Sequence, residues 1–252
     1  MKTPSLRGFT LIEMMIVVAI IGALTAIGFT VSKSAKAKAN QVNTLRKMTS
    51  LGTAFSAYTT DRNGLLPLED APGTDDWTNA AKPENQEAWY NAIPKLMQAP
   101  TVGEIGATNP ARFYEPSYPL YIPGAPYPSA EKRVGSPMFA VGMNSRLQRK
   151  SEDGAKAQAR FAQILDPAKT VVFLERGLPN DKKTMAAQRG FDGSPKANAG
   201  AFAARHNQKG CLVFADGHAE IHAASDLLTK AGGIVTPQSA IVWTLNPESD
   251  PN

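Results

Sequence analysis

Three histidines fall within the stretch RHNQKGCLVFADGHAEIH, at His206, His218 and His222, together with Cys211, Asp216 and Glu220. Imidazole nitrogen, carboxylate oxygen and thiolate sulfur are donors that suit zinc. His218, Glu220 and His222 stand at i, i+2 and i+4, so a strand aims all three to one side. An exposed polar sheet face reads the same way, and alternate residues along a strand are too far apart to chelate one ion. The sequence therefore predicts no metal site; were an ion held, those three residues would be its ligands. Cys211 lies in an apolar run and reads as a small buried residue. No nucleophile stands beside a base, so no catalytic residue, cofactor or enzymatic activity is predicted.

The second chemical feature is a lone carboxylate. The run at 9–31 is uncharged apart from Glu13 and mostly apolar. As a helix it would be roughly 34 Å long, enough to span a bilayer core. A secretory signal peptide has a shorter apolar region and a small-x-small cleavage site. An acid deep in a spanning helix is costly and marks a functional hypothesis by default, whereas an acid at headgroup level costs little. Position alone leaves both readings open.

The residues around it carry a resemblance. The basic leader MKTPSLRG, then Phe9, Glu13 and the apolar helix, resembles the class III signal of type IV prepilins and type II secretion pseudopilins. The resemblance implies that a prepilin peptidase cuts between Gly8 and Phe9 and methylates the new amino terminus at Phe9. It implies that Glu13 meets the Phe9 ammonium of a neighbouring subunit during assembly, where each charge offsets the other's desolvation. It also implies a cytoplasmic leader, a single-pass inner-membrane helix and a C-terminal domain in the periplasm or on an extracellular filament. The implied partners are other pilin-like subunits, the peptidase/methyltransferase, and the assembly ATPase and platform protein of an export machine. Thr30 stands where many members carry a kinking Pro, leaving Gly22 and Gly28 to loosen the helix.

The elements that must position these residues follow from periodicity. Val42, Leu45, Met48, Leu51, Phe55 and Tyr58 recur every three or four residues and share one helical face. The helix is expected to run on to about Thr60 and stop at Asp61-Arg62-Asn63-Gly64, its apolar stripe covered by a sheet. A short helix is expected near residues 89–93. Tyr118, Tyr121 and Tyr127, set among prolines, are expected to pack a loop onto the core. Asp70, Asp75 and Asp76 lack EF-hand spacing and read as solvated loop acids. MFAVGMN and TVVFLE read as strands, and 146–163 as a helix.

Ala215-Asp216-Gly217-His218 reads as a type I′ hairpin turn. Pairing outward sets Val213 opposite Glu220 and Cys211 opposite His222. Leu212, Phe214, Ala219 and Ile221 then share the core face, with Cys211, Val213, His218, Glu220 and His222 on the other. His206 is expected to hydrogen-bond Asp216. His206, nine intervening residues, then Asp216-Gly217 resembles the H-X9-DG motif of a prepilin-associated C-terminal domain of the DUF1559 type.

The bulk numbers bound these readings. The chain has 252 residues, room for one good-sized core or two small ones. Its net charge is +5, two of it on Lys2 and Arg7 of the leader, too weak and scattered to argue for nucleic acid. With a single cysteine no intrachain disulfide can form. The expected organisation is a leader at 1–8, a transmembrane and assembly helix at 9–31, its amphipathic continuation at 32–60, and a globular domain at 61–252 with the H-X9-DG hairpin at 201–222. The fold class is α+β, a long N-terminal helix packed on an antiparallel sheet, as in pilins. The function expected is a structural subunit of a type IV pilus-like or pseudopilus filament. The alternative is a membrane-anchored extracytoplasmic binding or metal-dependent domain that uses the signal for export.

Overall fold

The computed structural model describes residues 9–69, 76–133, 135–150, 156–238 and 240–249, with backbone only at 26–31, 33, 132, 133, 149, 150 and 156. Gly8, Asp70 and Asp75 lie outside the described residues. Helix α1 runs from Leu11 to Asp61. The chain divides into two units, one ending at Ala39 and one beginning at Asn40.

In the first unit α1 exposes Leu11, Ile12, Met14, Met15, Val18, Ile20, Ile21 and Leu24. Among the described residues no helix is long and apolar enough to cross a membrane. The side chains at 26–31, part of the expected span, lie outside the description.

In the second unit the expected stripe forms the inner face of α1. Met48, Leu51, Phe55 and Tyr58 are buried, Leu45 is partly buried, and Val42 is exposed. The helix ends where Asn63 and Gly64 take positive φ values of 53° and 81°, and the Gly64 N–H returns to the Thr59 carbonyl at 2.7 Å. Three short helices follow, α2 (Trp77–Ala80), α3 (Trp89–Leu96) and α4 (Val102–Thr108). Asp76 caps α2 by accepting from the Asn79 N–H at 2.7 Å. Tyr118 is buried and Tyr121 and Tyr127 pack against the core, as expected of a loop pinned by its aromatics.

The strands are β1 (Val141–Asn144), β2 (Arg149–Lys150), β3 (Lys156–Ala157), β4 (Val171–Glu175), β5 (Lys196–Ala197), β6 (Lys209–Phe214) and β7 (Ala219–Ala223). Five form one sheet in the order β5-β1-β4-β6-β7, and β2 pairs with β3. The sheet is mixed rather than antiparallel, because β5 returns after a long excursion from β4 and pairs parallel with β1. One face packs on α1 and α3: Phe55 and Trp89 meet Phe173 at ring distances of 5.9 and 5.2 Å. The other face carries Val171, Leu174, Leu212 and Phe214, covered by Phe202, Leu227 and Trp243. A sheet covered on both sides explains why VVFL and CLVF are apolar throughout instead of alternating.

The described residues of 146–163, which leave out 151–155, do not form the expected helix. They hold short 3-10 turns and the β2–β3 pair. Leu147 and Ala159 are buried there, with Ile164 just beyond, a spacing that fits no helical face. The backbone bonds instead to the end of the α1 turn: Leu66 N–H to Ala159 O at 2.9 Å and Phe161 N–H to Gly64 O at 2.7 Å. Ala and Lys content is a weak prior that such tertiary pairing overrides.

Candidate functional site

At the start of α1, Glu13 closes a capping box on Thr10. Its Oε2 accepts from the Thr10 N–H and from Thr10 Oγ1, both at 2.8 Å, and the Glu13 N–H donates to Thr10 Oγ1 at 3.3 Å. Thr10-x-x-Glu13 is the sequence signature of this cap, and it supplies a local reason for the carboxylate beside the one that assembly would give. The acid also sits in the first turn, where the helix dipole favours it. Phe9 beside it is 78% exposed.

The hairpin carrying the histidines departs from expectation in register. Val213 pairs with Ala219, Leu212 with Glu220, Cys211 with Ile221 and Gly210 with His222. The turn is the cause. Only Gly217 has positive φ, 94°, and the Phe214 N–H bonds the His218 carbonyl at 2.9 Å while the Gly217 N–H bonds that of Phe214. This is a three-residue loop with a bulge at glycine, not a two-residue type I′ turn. One residue of slip exchanges partners across the hairpin. Leu212 and Phe214 therefore share the face of His218, Glu220 and His222, and Cys211 and Val213 turn with Ala219 and Ile221 toward α1. The positive φ pair of a type I′ turn occurs upstream, at Asn207 and Gln208, 52° and 64°, where the His206 N–H bonds Lys209 O at 2.8 Å.

His218, Glu220 and His222 do lie on one face, each engaged with a neighbour. His218 Nδ1 is 2.5 Å from Asp216 Oδ1, and its ring stacks on Phe214 at 4.5 Å. His222 Nε2 is 3.0 Å from Glu220 Oε2. Among the described residues no three His, Cys, Asp or Glu side chains are grouped to hold a metal ion.

His206 does not reach Asp216. It is 2% exposed, and its Nε2 stands 3.3 Å from Oε1 of Glu175, which is fully buried at the end of β4. The same Oε1 accepts from Arg205 Nη1 at 3.2 Å, and Oε2 accepts from the Cys211 N–H at 2.8 Å. Arg205 closes a two-pronged pair with Asp181 at 3.0 and 2.6 Å. Burial alone would lower the Arg205 pKa, but the charges of Glu175 and Asp181 more than offset it and the net shift is upward. Burial, aided by Glu175, pushes the Cys211 thiol well above its ordinary value. A thiol held protonated is a poor nucleophile.

Asp216-Gly217 serves a different contact. Asp216 Oδ1 accepts from the His218 N–H at 3.1 Å, and its own N–H bonds Pro167 O at 3.2 Å. The Gly217 carbonyl lies against α1 at Gly52, so close that a Cβ on Gly52 would overlap the Gly217 oxygen. His206 thus lies against β4 beside Glu175, its Nε2 making no hydrogen bond among the described residues, while Asp216-Gly217 presses the hairpin on the helix.

Residues 5–29 match the family model of the prokaryotic N-terminal methylation motif. The matched segment takes in Gly8, Phe9 and Glu13. This motif supports a type IV pilin-like or pseudopilin protein, envelope-associated and structural in kind, and it implies processing and assembly into pilus-like filaments. No curated protein and no solved structure matches the chain.

Proposed function

We propose that this chain is a structural subunit of a type IV pilus-like or type II secretion pseudopilus filament. The observation that carries the reading is the methylation motif at residues 5–29. A prepilin peptidase cuts between Gly8 and Phe9 and methylates Phe9. Residues 9–31 hold the subunit in the inner membrane as a single pass, with the later chain on the periplasmic side. The uncovered apolar side chains of α1, from Leu11 to Leu24, need lipid around them and then neighbouring helices. Glu13 is tolerated in stages: Thr10 hydrogen-bonds it within the subunit, and the Phe9 ammonium of an adjoining subunit supplies the counter-charge on assembly. A repeated heterologous contact of this kind builds an open helical array. The partners are other pilin-like subunits, the peptidase/methyltransferase, and an assembly ATPase with its platform protein.

The C-terminal region belongs, on this reading, to the H-X9-DG, DUF1559-type class, with His206, Asp216 and Gly217 as the motif. Its role is a clasp: the Asp216-Gly217 turn closes on Gly52, and His206 packs beside Glu175.

N-terminal mass spectrometry of protein recovered from membranes tests the processing step. A mature terminus at methylated Phe9 is the expected result, and an intact Met1 contradicts it. Gly8→Ala should reduce trimming mildly and Gly8→Val should block it, because the peptidase needs a small residue before the cut.

A further inference from the structure

The five-stranded sheet has two edges, and they are built differently. β5 is two residues long, Lys196-Ala197, and follows Pro195. A short edge with a lysine and a proline is poorly suited to take another strand. β7, at the opposite edge, runs for five residues, Ala219–Ala223, and holds no Lys, Arg or Pro. Glu220 is exposed, and the other residues of the strand are partly exposed.

The hairpin decides which backbone groups face out. The bond from the Phe214 N–H to the His218 carbonyl starts the ladder, so Leu212 exchanges bonds with Glu220, and Gly210 with His222. The N–H and C=O of Ala219, Ile221 and Ala223 therefore point away from β6. Asp226 Oδ2 takes the Ala223 N–H at 2.9 Å. The backbone groups of Ala219 and Ile221 have no hydrogen-bond partner among the described residues.

We propose that β7 pairs antiparallel with β7 of a second copy of this chain, Ile221 opposite the partner's Ile221. There Ile221 exchanges both its bonds across a two-fold axis, and the Ala219 N–H meets the carbonyl of the partner's Ala223. Charge selects the register. With Ile221 on the axis, Glu220 stands opposite the partner's His222, once on each side. Within one chain Glu220 Oε2 lies 3.0 Å from His222 Nε2. Glu220 Oε1 is 3.7 Å from His218 Nε2, and His222 Nδ1 is 3.7 Å from Asp226 Oδ2, both beyond hydrogen-bond reach. Oε1 and Nδ1 are the atoms left to meet across the axis. Shifting the pair by two residues sets Glu220 against the partner's Glu220, or His222 against the partner's His222, like facing like. The contact uses no residue from Leu11 to Leu24, so it joins subunits independently of the helix-to-helix contact of assembly.

A five-residue ladder is a small contact, so covalent trapping tests it. The full-length chain carrying Glu220→Cys is mixed in detergent with the chain carrying His222→Cys, under a mild oxidant. Residues facing each other at such a position have Cα atoms about 4.5 Å apart, within disulfide range, whereas the diagonal between the two 220 positions is about 7–8 Å, outside it. The mixed dimer also keeps one Glu220–His222 pair. A disulfide-linked dimer about fivefold more abundant in the mixture than in either variant alone is expected. Ala219→Pro in both chains takes away an outward N–H but no ladder bond of the fold, and should cut that yield about tenfold with unfolding unchanged. No linked dimer in the mixture, equal yields from the mixture and either variant alone, or a yield indifferent to Ala219→Pro overturns the proposal.

Discussion

Glu13 and Glu175 are both carboxylates set in apolar sequence, and they are made tolerable in opposite ways. Glu175 is fully buried and closed off: Arg205, His206 and the Cys211 N–H surround its two oxygens. Glu13 stands at the open end of α1, with one oxygen taken by Thr10 and a neutral donor set around it. A carboxylate whose counter-charge lies in its own fold serves stability. One that receives only neutral hydrogen bonds from its own chain is left to be neutralised from outside. The same contrast runs through the two units: the second covers its sheet on both faces, and the first leaves its apolar side chains uncovered.

Removing the buried acid is the largest expected disturbance. Glu175→Ala takes one of the two buried carboxylates of Arg205 and the acceptor of the Cys211 N–H, while Asp181 stays on Arg205, and should cost about 3 kcal/mol in urea unfolding. Glu175→Gln, which keeps an acceptor for the Cys211 N–H, should cost less. A loss under about 1 kcal/mol for the alanine variant would show that the network does not anchor the fold.

Two glycines of the same helix sharpen the contrast at a smaller scale. Gly52→Ala drives a methyl into the Gly217 carbonyl and should destabilise by about 1–3 kcal/mol. Gly22→Ala meets nothing within 4 Å and should leave unfolding unchanged or slightly improved. Equal effects at both positions would contradict the clasp between α1 and the hairpin.

A weaker effect is expected on the alkaline side. The Cys211 thiol is raised in the folded chain, so its contribution is complete below the unfolded thiol value of about 8.5 and declines as pH climbs from there toward the folded value. Unfolding free energy should fall with pH in that window, and the slope should be shallower in Cys211→Ala. An identical slope in both would remove Cys211 from the explanation.

Much of the scaffold is legible in the residues themselves. The stripe from Leu45 to Tyr58 locates α1, the Asn63-Gly64 pair locates its end, and the apolar runs locate β1, β4 and β6. The hairpin register is not legible, because it depends on which residues of two adjacent turns adopt positive φ. Asn207-Gln208 carry no glycine and give no signal, and Asp216-Gly217 contributes only one such residue. Glu175 is hidden at the end of an apolar strand, and its partner Arg205 lies 30 residues away in sequence with no periodic relation to it. Thr10-x-x-Glu13 is a capping box on its face, and the length of the apolar run around it draws attention to the membrane instead.

The most direct test replaces Glu13 with Leu and compares filament incorporation with unfolding of the globular unit. Cleavage before Phe9, an unchanged unfolding curve and loss of incorporation into filaments are the predicted results. Undiminished incorporation of the Glu13→Leu variant would contradict them, since the carboxylate would then have no partner to serve.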